Sequence, residues 1–151
     1  MNSCVVALQR LAHALDRRGL RWPALLCVLI NRLVFGCYLG CGARLGKRIS
    51  LAYGALGIIV HDKAVIGDDV RIGAHVVIGG RAKHADVPVI GDRVVIATGA
   101  KVLGPIRIGD EAVIGANAVV IEDVPARCVV AGIPARVIKR DIDIRRYHDG
   151  L

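Results

Sequence analysis

The chain has 151 residues, which suits one domain with a real core. Hydrophobic residues make up 54% and aromatics 3%, with 18 glycines, so the core must be small and aliphatic within an architecture that accepts glycine at fixed places. Lys and Arg total 21 against 13 Asp and Glu, a formal charge of +8 that suits a phosphorylated partner or a membrane surface; nucleic acid is excluded, because the cations are scattered and few aromatics are present to stack on bases. The five cysteines (Cys4, Cys27, Cys37, Cys41 and Cys128) include no C-x-x-C pair. An odd count without framework spacing argues against a disulfide scaffold or zinc ribbon, so they read as small buried hydrophobes in a reducing compartment.

In chain order, residues 4–18 predict an amphipathic helix with Val5, Leu8, Leu11, Ala12 and Leu15 on one face and Gly19 as its stop. A second helix is expected from Pro23, a good first-turn residue, to about Phe35 before Gly36. Its apolar content exceeds one stripe, so it should pack against the main body or a neighbouring subunit. The stretch 22–40 is interrupted by Asn31 and Arg32 and falls short of the ~20 apolar residues that a spanning helix needs. No basic-then-apolar leader with a cleavage site opens the chain, so a cytoplasmic protein is expected, with peripheral membrane attachment through this segment left open.

From Leu39 the pattern changes. Ile66-Gly67, Ile72-Gly73, Ile78-Gly79, Ile90-Gly91, Ile96-Ala97, Val102-Leu103, Ile108-Gly109, Ile114-Gly115 and Val120-Ile121 recur at six-residue steps, with one step skipped. Leu39, Leu45 and Leu51 keep the step but are out of phase, so an insertion is expected around residues 53–57. A helix needs a period near 3.6 and a flat strand near 2; six fits neither. It fits a short strand and a turn repeated three times per coil, which makes a triangular prism filled by stacked aliphatics. Val130-Ala131-Gly132-Ile133-Pro134-Ala135-Arg136 closes the ladder, and the charged tail from Lys139 should form a short cap or fray. The expected organisation is a helical segment over 1–36, the prism over 37–138 and a tail over 139–151.

These hexads, with Gly115-Ala116-Asn117-Ala118-Val119-Val120 and the closing motif through Val137-Ile138, resemble the bacterial hexapeptide acyltransferases. The runs Gly57-Ile58-Ile59-Val60, Ile78-Gly79-Gly80, Pro88-Val89-Ile90-Gly91-Asp92 and Gly99-Ala100-Lys101-Val102-Leu103-Gly104 are most similar to serine acetyltransferases, and sugar O-acetyltransferases of polysaccharide clusters share much of this. The resemblance implies an all-β solenoid, a left-handed parallel β-helix with a short N-terminal helical segment. It implies a homotrimer that uses acetyl-CoA along the groove between neighbouring prisms, without a metal. By motif, Gly80, Thr98 and Ala116 would line the pantetheine arm, and Lys139 and Arg140 would meet the CoA phosphates, where charged donors are needed. The same three small residues would also serve as ordinary turn residues.

Moving acetyl from a thioester to a hydroxyl needs a base, for which a positioned histidine is the natural choice. Of His13, His61, His75, His84 and His148, we expect His13 and His148 to be solvated and His75 to point outward on a regular hexad. His84 stands where an inward aliphatic is due, so residues 81–88 either leave the prism as a loop or bury a polar ring; local rules that break this way often mark a functional site. His84 is therefore the first candidate base. His61, beside the insertion, is the second candidate, as base or acceptor ligand, and Asp62 or Asp86 could orient either ring. The chain departs from serine acetyltransferases where they carry an Asp-His pair, here Tyr53-Gly54, and an upstream aspartate, here Tyr38. Their later histidine precedes the proline matching Pro88, a place held here by Val87. These departures put the serine acceptor in doubt. A sugar hydroxyl of an envelope polysaccharide is the alternative acceptor, and a catalytically idle scaffold subunit is the alternative role. A metal-dependent hydratase like the γ-type carbonic anhydrases needs three converging histidines, and His61, His75 and His84 lack that spacing.

Overall fold

The computed structural model describes residues 2–148, with the side chains of residues 2, 3 and 148 outside the described set. Two packed helices open it, α1 (Asn2–Arg17) and α2 (Arg21–Phe35). Both begin two residues before the sequence pattern suggests. Helix α2 ends at Gly36, whose left-handed backbone (φ 64°) turns its N–H back to the Asn31 carbonyl. On α1, Val5 and Ala12 are buried as expected but Leu11 is half exposed. Gln9 takes the inner place instead, for a clear reason. The first coil has no preceding coil to use its carbonyls, and Gln9 Nε2 donates to those of Ala43 (2.8 Å) and Gly40 (3.3 Å). Helix α1 thus closes one end of the prism.

The body is a left-handed parallel β-helix. Its first coil runs β1 (Tyr38–Leu39), β2 (Arg44–Leu45), β3 (Ser50–Leu51); the second β4 (Ile59–Val60), β5 (Val65–Ile66), β6 (Arg71–Ile72). The third is β7 (Val77–Gly79), β8 (Val89–Ile90), β9 (Val95–Ile96), and the fourth β10 (Lys101–Leu103), β11 (Arg107–Ile108), β12 (Val113–Ile114). The last comprises β13 (Val119–Val120) and β14 (Val129–Gly132), from which β15 (Ala135–Lys139) folds back antiparallel. Stacking gives three faces: A from β1-β4-β7-β10-β13, B from β2-β5-β8-β11, and C from β3-β6-β9-β12-β14 with β15 outermost. The hexad aliphatics Ile66, Ile72, Ile78, Ile90, Ile96, Val102, Ile108, Ile114 and Val120 form the buried ladder that the period predicts.

The step breaks where the sequence says it must. Between Leu51 and Val60 the chain makes a tight turn (Ala52–Ala55) with Tyr53 and Ala55 in left-handed conformations. Between Ile78 and Ile90 it leaves the prism as an exposed loop. At the corner joining faces B and C, aspartates stitch successive coils: Asp68 Oδ1 accepts from the Lys47 N–H, Asp92 Oδ1 from Asp68, and Asp110 Oδ1 from Asp92. The Gly-Asp repeats follow from this, since a Cβ on Gly67 would collide with the Asp92 carboxylate and the Gly91 carbonyl. The tail is better anchored than its charge suggests, because Ile142 and Ile144 pack on Val95, Val113 and Val129 outside face C. Residues 149–151 lie outside the described set. No helix among the described residues is long and apolar enough to cross a membrane.

Replacing the fully buried Ile96 by Ala should cost ~2–5 kcal/mol, read from urea unfolding. Asp92→Ala, which leaves only a partly exposed N–H without its partner, should cost ~1 kcal/mol in the same experiment.

Candidate functional site: two corners of one face

Because coils stack in register, residues at one corner form a column. His61 and Gly80 lie at the corner between faces A and B, and His84 lies in the loop that leaves from it. This loop is held over the corner: Lys63 Nζ donates to the Ala85 carbonyl (3.4 Å), and Arg81 passes close over Gly104. His84 is exposed, so of the two fates open to it the structure selects the loop. His61 is half-buried, and its Nδ1 accepts the Lys63 backbone N–H at 3.1 Å. A neutral imidazole so engaged carries its proton on Nε2 and presents a donor outward. Beside the loop, on face B, lies a depression of ≈ 310 Å³ lined by Arg44, Lys63, Asp86, Val89, Pro105 and Arg107.

Thr98 and Ala116 stand at the other edge of face A, the corner between C and A. They are half-buried and exposed respectively. His75 belongs to the same column: its ring lies against Gly57, and Lys101 Nζ donates to its carbonyl and to that of Gly99. The exposure expected of His75 holds, but its place beside Thr98 and Ala116 was missed. The signal was available in the coil length, since positions 75, 99 and 117 are one coil apart once the loop is discounted. Arg136 was missed as well. It pairs with Ala131, which packs on Gly115, and its guanidinium lies 3.3 Å from Glu122 at the A–B corner of the last coil.

Lys139 and Arg140 lie elsewhere. Lys139 pairs with Val129 at the start of β14, a full face away from Thr98 and Ala116. With Arg146, Asp143 and Tyr147 these two residues line a depression of ≈ 460 Å³. The seven residues singled out from sequence therefore fall on three corners of one prism, with the two edges of face A separated by its width.

Asp62 does not orient His61. Its carboxylate points to the first coil, over Gly40 and within 3.9 Å of Cys41 Sγ. Burial, and then the charges of Asp16 and Asp62, raise the Cys41 thiol; burial likewise raises Cys37, to about 11. Tyr38 rises through burial and then Asp62. His13 is not solvated as expected, because its Nδ1 lies 3.0 Å from the Cys41 carbonyl on the closed end of the prism. The side chain of His148 lies outside the described residues. Among the described residues no three His, Cys, Asp or Glu side chains gather to hold a metal.

The family model for "Bacterial transferase hexapeptide (six repeats)" matches residues 88–122. The serine acetyltransferase of Helicobacter pylori strain J99 is 39% identical over 134 residues, covering 87% of this chain and 78% of that protein. The chain belongs to the serine acetyltransferase family. The Synechococcus elongatus serine acetyltransferase is 41% identical over 133 residues, 87% of this chain but 54% of that one. The crystal structure of Brucella abortus strain S19 serine acetyltransferase in complex with coenzyme A superimposes with TM-score 0.84 at 34% identity, covering 89% of this chain and 54% of that one. The chain thus spans a little over half the length of several serine acetyltransferases that it matches. Tyr53-Gly54 forms the left-handed turn of the C–A corner, with Tyr53 77% exposed.

Native thiol titration near pH 8 should find one rapidly reacting cysteine, the exposed Cys4, with the buried Cys27, Cys37, Cys41 and Cys128 reacting only on unfolding. The raised Cys37 pKa also sets a sign. Its contribution to stability is present below its ordinary value of 9.0 and is lost as pH rises through about 11, so melts should fall across that window.

Proposed function

We propose that this chain is an acetyl-CoA-dependent O-acetyltransferase acting on a small hydroxyl acceptor. The observation that carries it is the register of small residues up the C–A corner, in a chain that is 34% identical to a coenzyme A-binding neighbour. The residues present suit such a substrate. Thr98 and Ala116 leave corner backbone accessible to a narrow pantetheine arm, and Arg136, one strand beyond that corner, supplies a cation for phosphate by exchanging Glu122 for it. Lys139 and Arg140 serve phosphates only if the nucleotide end turns across face C.

Gly80 and the His61–His84 corner lie across face A from that column. At ~3.3 Å per extended residue a six-residue side measures about 15–20 Å. One prism cannot close a single site from both of its edges, so we infer a homotrimer in which the A–B corner of one copy faces the C–A corner of the next. The bound thioester supplies the acetyl group. His84, on the projecting loop, takes the hydroxyl proton as the new C–O bond forms and the C–S bond breaks, and the thiol leaves protonated. His61 donates from Nε2 to an acceptor or thioester oxygen, since Lys63 already occupies its Nδ1.

Serine is the acceptor suggested by the family name. Tyr53-Gly54 in place of the family's Asp-His favours a second reading, in which a bulkier sugar hydroxyl stacks on exposed Tyr53. Thiol release from acetyl-CoA, measured across serine, homoserine and neutral or amino sugars, decides between them; no release with any hydroxyl would leave a scaffold role. His84→Ala should lower turnover ~100-fold or more with an unchanged melt. His61→Ala should reduce it by a smaller factor, also with an unchanged melt, in the same thiol-release assay. An unchanged rate in His84→Ala would move the base to His61 or remove a histidine base from this corner.

A further inference from the structure

Helix α2 buries only Ala24, Cys27, Val28 and Asn31 against α1 and the first coil. Its opposite side is as apolar as its buried one. Trp22 (84% exposed), Leu25, Leu26, Leu29, Leu33 (75%) and Val34 form an unbroken stripe at helical spacing, flanked by Ile30 and Leu20. Scattered surface leucines need no explanation, but a contiguous face of this kind marks an interaction site.

The charges around it narrow the occupant. Helix α2 carries no acidic residue. Its own cations, Arg21 and Arg32, are exposed on one edge of the stripe, and exposed Arg17 and Arg18 precede it. The nearest carboxylate in sequence, Asp16, is half-buried at the end of α1. Antiparallel pairing of two α2 helices across a twofold axis would set Arg21 of each copy against Arg32 of the other, with no carboxylate on either helix to neutralise them. A spanning role fails on length, since 15 residues at ~1.5 Å give about 22 Å against a hydrocarbon core of ~30 Å.

We propose that α2 lies in the plane of an anionic phospholipid bilayer, its Trp22–Leu33 stripe in the acyl boundary and Arg17, Arg18, Arg21 and Arg32 on headgroup phosphates. Apolar burial and charge then act together, as an interfacial helix requires. The proposal is independent of which acceptor is acetylated; it places the prism at a membrane face, where an acceptor carried on a lipid would be presented.

Trp22 is the only tryptophan in the chain, so its fluorescence reports this face alone. The full chain, mixed with phosphatidylcholine–phosphatidylglycerol vesicles, should co-sediment. Its emission should shift to the blue and be quenched by lipids brominated on the acyl chain. Pure phosphatidylcholine should bind at least ~10-fold more weakly, and added salt should weaken the anionic case. Leu29→Glu with Leu33→Glu should abolish binding with an unchanged melt. Arg21→Gln with Arg32→Gln should remove the preference for anionic lipid. Trp22 emission that is already blue in the absence of vesicles would mean that another protein surface covers the stripe and would overturn the proposal. Exposed Trp22 emission that anionic vesicles leave unchanged would overturn it too.

Discussion

The structure depends on the parallel backbone ladder between successive coils. Each coil's N–H groups bond to the carbonyls of the next, as in Ile59 to Val76 (2.9 Å), Val77 to Ala100 (3.0 Å) and Lys101 to Ala118 (2.8 Å). That ladder fixes register, and register fixes which residues share a corner. The aliphatics filling the tube supply most of the driving force, being small, fully buried and continuous from Leu39 to Val130. Chemistry is left to the corners, the places where the backbone turns and side chains other than aliphatics are admitted.

The three corners do different work. At the B–C corner the aspartates accept backbone N–H groups, and the residues next to them pair in a column of alternating charge, Arg48 with Asp69 and Arg93 with Glu111. Those exposed pairs add little stability. The corner's carboxylates are thereby engaged in holding coils together, and the proposed site draws on the A–B and C–A corners instead. The apolar stripe of α2 is separate from all three and belongs to the closed end of the prism.

The prism was legible in the sequence because one physical requirement, an inward aliphatic every sixth residue, is repeated too often to be obscured. Both breaks in the period, after Leu51 and after Ile78, were visible as lost steps, and Gly36 marked the end of α2. What the sequence hid was the grouping of outward residues. A hexad count says that His75 points out, but only the stacking of 18-residue coils, with the six extra residues of the loop after Ile78 discounted, places it beside Thr98 and Ala116. Lys139 and Arg140 follow the closing motif closely in sequence, yet the antiparallel return of β15 carries them to the far side of face C. Leu11 and His13 were misplaced because α1 is shaped by the free carbonyls of the first coil, which draw Gln9 inward, a need that no periodicity within the helix records.

Hydrogen exchange of the full chain with and without coenzyme A tests the central claim most directly, namely that stacked corners build one binding groove. The account predicts slowed exchange of amides at 97–100 and 115–118, together with those at 80–86, two edges of face A that become joined only between copies. Protection confined to residues 139–147, or protection of one edge without the other, would contradict it.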